Sequence, residues 1–85
     1  MKIIYTAKFS REYKKLSREI KISAEQAEAV FRKNPFTPSL DAHKLHGRFK
    51  DFWSFSIGFK HRIIFEFDGS KTVYFHSIGN HSIYQ

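Results

Sequence analysis

The chain reads as an α+β fold: an N-terminal strand, an αα-hairpin, then a three- to four-stranded antiparallel sheet with the helices on one face. Three observations predict it. Apolar residues Phe9, Tyr13, Leu16 and Ile20 step by four, three and four, the spacing of one helical face. After Ala42 the pattern turns to period two, as Trp53, Phe55, Ile57 and Phe59 alternate with Phe52, Ser54, Ser56 and Gly58. Asp68-Gly69-Ser70 then separates two β-prone runs, a strong hairpin signal.

Each element has a local cause. Residues 1–5 are β-prone and short, and Thr6 is placed to cap a helix running from Ala7 to Ile20. On the other side of that helix Lys8, Arg11, Lys15 and Arg18 form a basic stripe, readable as a phosphate-binding face or as the solvated back of an amphipathic helix. Ser23 and Gln26 have capping-box spacing and predict a second helix over about Ala24–Lys33, burying Ala27, Val30 and Phe31. Asn34-Pro35 stops it, and residues 34–42 read as a loop from which Phe36 and Leu40 reach the core. Short strand 43–46, turn 47–50 and strands 51–59, 61–67 and 71–77 complete the meander. With Ile63, Phe65, Phe67, Val73 and Phe75 toward the helices, Arg62, Ile64, Glu66, Tyr74 and His76 share the second face with Ser54 and Ser56.

Composition bounds the function. Eighty-five residues suffice for one domain, expected to span residues 1–85. Aromatic residues at 18%, ten of them Phe, let so short a chain build a dense core. There is no Cys, so disulfides, thiolate nucleophiles and Cys-based metal sites are excluded. No apolar run approaches the ~18 residues of a membrane span, and the opening run is too short for a signal-peptide core, so the expected location is cytoplasmic with no membrane partner. A net charge of +7 suits a polyanion or an acidic protein partner, or serves solubility alone.

The ending Ile-Gly-Asn-His-Ser-Ile-Tyr-Gln places His81 and Tyr84 directly after a Gly-Asn turn. If the polyanion that the charge suits is RNA, cutting it without a metal needs a base for the 2′-hydroxyl proton, a cation for the phosphoryl oxygens and an acid for the leaving 5′-oxygen. Histidine serves as base or acid near neutral pH. Arg62 offers a planar cationic fork suited to phosphate, or alternatively pairs with Glu66 on its own strand. Tyr84 is suited to stacking on a base or to assisting proton transfer. This assigns His81 as acid, His43 or His46 as base and Arg62 as phosphate clamp, with Lys44, Arg48, Lys50, Lys60 and His61 as RNA-binding support. No metal or other cofactor is expected: His43 and His46, three apart in a strand, point to opposite faces.

Five stretches resemble the RelE/ParE superfamily of bacterial toxins from type II toxin-antitoxin modules. They are FSREYKKL in the first helix, HKLHG at 43–47, FWSFSI at 52–57, HRIIFEF at 61–67 and IGNHSIY at 78–84. The His-x-Leu-x-Gly opening and the Gly-x-His ending are most similar to the YafQ branch. The resemblance implies a RelE-like, microbial RNase-like fold and a metal-independent endoribonuclease, or mRNA interferase, that cuts messenger RNA in the ribosome. It also implies a cognate antitoxin, held in a heterotetramer or larger toxin-antitoxin complex. By motif, His43 and His81 match site histidines, Tyr84 a terminal aromatic ring and Arg62 the strand arginine of RelE-type toxins. Ser56 and Lys60 stand where YafQ-like sites have a further histidine and an aspartate, and the His81 to Tyr84 spacing is one residue shorter than in YafQ. The same scaffold in ParE-type toxins acts on DNA gyrase without catalytic residues, and a catalytically inactive antitoxin-binding module is a third alternative.

Overall fold

The computed structural model describes residues 1–80 and Ile83. Strands β1 (Lys2–Tyr5), β2 (His43–Lys44), β3 (Trp53–Ile57), β4 (His61–Asp68) and β5 (Thr72–Gly79) form one sheet in the order β1-β5-β4-β3-β2. The β2 to β5 part is antiparallel, as the alternating pattern predicts. β1 joins the far edge parallel to β5, so the first and last strands of the chain are neighbours. Two helices, α1 (Ala7–Lys14) and α2 (Arg18–Lys33), pack on one side.

The helix boundary differs from the sequence expectation. The first helix stops at Lys14 rather than Ile20, because Ser17 takes an extended conformation and its hydroxyl accepts the Ile20 N–H, starting α2. Ser23 and Gln26, despite their capping-box spacing, lie inside α2. Leu16 and Ile20 still pack on the core, since the three-residue break leaves both facing the sheet. β3 also ends early, at Ile57: Gly58 turns with φ +61° and throws Phe59 out, 93% exposed, rather than onto the apolar face. β2 keeps only His43 and Lys44 of its expected four residues, and His46 precedes a single 3₁₀ turn at Gly47–Phe49.

The core is an aromatic stack. Phe31 lies parallel to Phe55 at 4.8 Å and edge-on to Phe65 and Phe75 at 5.0 and 5.4 Å, and all four are wholly buried. Such offset and edge-on pairs favour the ring quadrupoles beyond area burial alone. Leu40 closes this layer from the loop, whereas Phe36 stays half exposed against Trp53 and Phe67.

Candidate functional site on the second sheet face

Register defines what the helix-free face presents, because residues directly opposite one another in an antiparallel pair point the same way. One row across the sheet is His43, Ser54, Ile64 and Ser77; the next is Ser56, Arg62 and Gly79; a third pairs Glu66 with Tyr74. Up to Ile64 the partners on β5 sum in one register, and from Phe65 onward in another, leaving His76 as the extra residue of a β-bulge. The consequence is visible in burial: Val73, Phe75 and Ile78 all reach the core although their spacing is two and then three. His76 and Ser77 are therefore both available to the opposite face.

β1 ends at Tyr5, so the outer edge of β5 past Phe75 has no strand beside it. α1 fills the gap. Glu12 accepts the Ile78 N–H at 3.1 Å and the Ser77 hydroxyl at 2.8 Å, satisfying the open edge. The Lys8 ammonium then donates to Glu12 and to Ser77 Oγ, each at 2.9 Å. Burial works to raise the Glu12 pKa, but the hydrogen bonds from Lys8, Ser77 and the Ile78 amide, with the Lys8 charge, outweigh it and hold the carboxyl below its ordinary value.

A cavity of about 290 Å³ opens here, lined by Thr6, Lys8, Phe49, Phe52, Ile64, His76, Ser77 and Ile83. Phe52 and Ile64, which interrupt the polar alternation in sequence, are thus part of its apolar lining. Phe52 lies 4.9 Å from the His76 ring, and His76 Nε2 is 2.9 Å from Glu66 Oε1. A larger cavity of about 390 Å³ lies on the helix side among Tyr5, Phe9, Tyr13, Ala24 and Ile63 and contains no histidine or arginine. That larger cavity also carries Lys14, Glu25 and Glu28, whereas His43 and Arg62 lie across the sheet from it.

Of the sequence-predicted site residues, His43 and Arg62 fall on the second face by register. Arg62 does not pair with Glu66, which instead holds His76; its guanidinium donates to the His61 carbonyl at 2.9 Å. His43, exposed on the edge strand, holds its Nδ1 at 3.0 Å from the Asp41 carbonyl. Three strand spacings, about 14 Å, separate its backbone from that of Ser77. Lys44 pairs with Trp53 and His61 with Ile57, so both lie on the helix side rather than with Arg62. His46, Arg48 and Lys50 surround the 3₁₀ turn, and Lys60 sits in the β3–β4 turn; all four are exposed. His81 and Tyr84 lie outside the described residues. Ile83, between them in sequence, lines the cavity, and a Cβ on Gly79 would meet its Cγ2 at 2.5 Å. Among the described residues, no three His, Asp or Glu side chains are grouped closely enough for a metal ion.

The Lys8, Arg11, Lys15 and Arg18 stripe, readable as a phosphate-binding face or a solvated back, carries no sequence sign of Glu12 and Ser77 as the partners of Lys8. The signal was faint: Lys8 and Glu12 are an ordinary i,i+4 pair, and only the fold brings Ser77, 69 residues away, to Lys8.

An α1–α2 hairpin on one side of a five-stranded sheet is a fold this chain shares with solved toxin structures. Solved structures match it along nearly their whole length. A YoeB/ParE toxin from Agrobacterium tumefaciens is 19% identical, with 95% of this chain and 99% of that one covered and a TM-score of 0.80. YafQ from E. coli is 17% identical, with 96% and 94% covered and a TM-score of 0.80. The toxin-antitoxin complex RelBE2 from Mycobacterium tuberculosis gives 18%, 93% and 95%, and a TM-score of 0.76. No curated protein matches the sequence. The family described as ParE toxin of type II toxin-antitoxin system, parDE, matches residues 3–83, and the chain belongs to that family. It is the toxin of a type II toxin-antitoxin system. No helix among the described residues is long and apolar enough to cross a membrane.

Proposed function

We propose that this toxin is a ribosome-dependent, metal-independent endoribonuclease that cuts messenger RNA and so stops translation. The observation that carries the reading is the second sheet face: Arg62, His43, two serines and a cavity holding an imidazole and an ammonium occur on one surface, opposite the helices. Arg62 clamps the scissile phosphate, His81 protonates the leaving oxygen, and Tyr84 stacks on a base. His43 and His46 stand nearest the message's path along the β2 edge, with Arg48, Lys50 and Lys60 holding its backbone. The ribosome supplies the orientation that so open a face lacks, so naked RNA is cut slowly.

The expected partner is an antitoxin with an acidic or amphipathic segment that wraps the basic surface in a heterotetramer or larger complex. E. coli YafQ, similar in fold, forms a toxin-antitoxin complex with DinJ. The ParE description of the family favours a second reading, inhibition of DNA gyrase without catalysis. Expressing the toxin without its antitoxin and mapping the 5′ ends of cellular messages separates the two. In-frame cuts that vanish with His81→Ala support the nuclease; intact messages with DNA damage support gyrase.

A further inference from the structure

Lys8 and His76 face one cavity, yet neither belongs to the residue set assigned above. Each is held by its own carboxylate: Lys8 by Glu12 at 2.9 Å, His76 by Glu66 at 2.9 Å. The arrangement leaves useful valence. An ammonium has three donors, and Glu12 and Ser77 take two; the third has no partner among the described residues. A carboxylate only accepts, so Nε2 carries the hydrogen in the contact with Glu66; a neutral ring with that tautomer has its lone pair on Nδ1, which has no partner among the described residues. The Phe52 ring, 4.9 Å from the imidazole, gives the cavity an aromatic wall. A cation, a basic nitrogen and a π-face around a cavity of about 290 Å³ are what a single nucleotide with its phosphate requires.

We propose that this cavity is a mononucleotide subsite for single-stranded RNA, in which Lys8 holds the phosphate, Phe52 carries the base and His76, in place of His43 or His46, is the general base. The inference rests on the nuclease reading for its chemistry. His76 Nδ1 takes the 2′-hydroxyl proton as the 2′-oxygen bonds to phosphorus. The phosphorus to 5′-oxygen bond breaks, and that oxygen takes its proton from His81, leaving a 2′,3′-cyclic phosphate and a 5′-hydroxyl. Glu66 acts through His76 and is a positioning residue. Bulging at His76 is the structural device, since a regular β5 would turn either His76 or Ser77 away from this face.

The test uses the whole chain and two independent readouts. Titrating uridine 3′-monophosphate into the free toxin is expected to perturb the His76 imidazole and Lys8 side-chain resonances. Lys8→Gln and Phe52→Ala should each weaken that binding about tenfold or more. Lys8 is 56% exposed, so its replacement leaves the fold in place, and a melting curve for each variant verifies that. On ribosome-bound message, His76→Gln should lower kcat at least a hundredfold. Glu66→Gln should lower kcat with KM unchanged, a split that a merely structural role would not produce. Inorganic phosphate binding as tightly as the nucleotide overturns the assignment. Undiminished cleavage by Lys8→Gln and His76→Gln overturns it while leaving the nuclease reading standing. Nucleotide binding by a toxin that cuts no message supports the subsite as a binding site and removes the nuclease reading instead.

Discussion

The two faces of the sheet differ in how each achieves burial. Toward the helices, Phe31, Phe55, Phe65 and Phe75 are wholly buried and touch chiefly one another. On the far side, Ser54, Ile64 and Ser77 are almost as buried, but Arg62, Glu66, Tyr74 and His76 beside them keep partial access to solvent. Burial there comes from a thin cover: the 3₁₀ turn with Phe49 and Phe52, Ile83, and the flank of α1. One face spends its residues on stability; the other leaves polar groups poised at the rim of a cavity. Substitutions should therefore separate cleanly into those that unfold the protein and those that silence it.

The largest effect belongs to the aromatic stack. Phe31→Ala removes the ring that three others contact and should cost about 3–5 kcal/mol. Small domains hold only about 5–15 kcal/mol in total, so chemical denaturation should show a protein near the limit of folding.

Where α1 closes the sheet edge, Glu12→Ala strips an acceptor from the Ile78 N–H and the Ser77 hydroxyl and should cost about 1–3 kcal/mol. pH sharpens this case. The folded carboxyl titrates below its ordinary 4.5, so its stabilising contribution is complete above that value. It is lost as the pH falls through the lower folded pKa. Glu12→Gln should remove that acid-side part of the stability profile, measured by urea unfolding between pH 2 and 6, an interval of about four units spanning the usual carboxylate range.

Smaller still is the cap that divides the helices. Ser17→Ala should cost about 1 kcal/mol by freeing the Ile20 N–H, whereas Ser23→Ala, inside α2, should be near neutral or slightly stabilising on helix propensity. Thermal unfolding of the two variants side by side checks where α2 begins. At the bottom of the scale Phe59→Ser, 93% exposed in the β3–β4 turn, should shift stability by no more than about 0.5 kcal/mol.

The sequence carried the helix-side face well, because burial against helices imposes a period that composition obeys: Phe9, Val30, Phe31, Phe55, Ile63 and Phe75 all lie where their spacing places them. Ser17 was hidden because Ser-x-x-Ile lacks the acidic or amide residue three positions on, while Ser23-x-x-Gln has one. On the second face, Arg62, Glu66 and His76 are legible from alternation, whereas His43 reaches it only through the register of β2 with β3. His76 and Ser77 sharing a face is not, since a bulge changes register without leaving a fixed residue pattern. Lys8 was hidden for another reason: its partner Ser77 comes from the opposite end of the chain.

The account stands or falls on the helix-free face being the reactive one. The direct measurement is single-turnover cleavage of ribosome-bound message by Arg62→Ala, compared with a substitution of an exposed cation on the helix side, Lys33→Ala. We expect Arg62→Ala to lose about a hundredfold or more in rate with its melting curve unchanged, and Lys33→Ala to cut as the parent does. Equal rates for all three proteins, or equal losses in both variants, would contradict it.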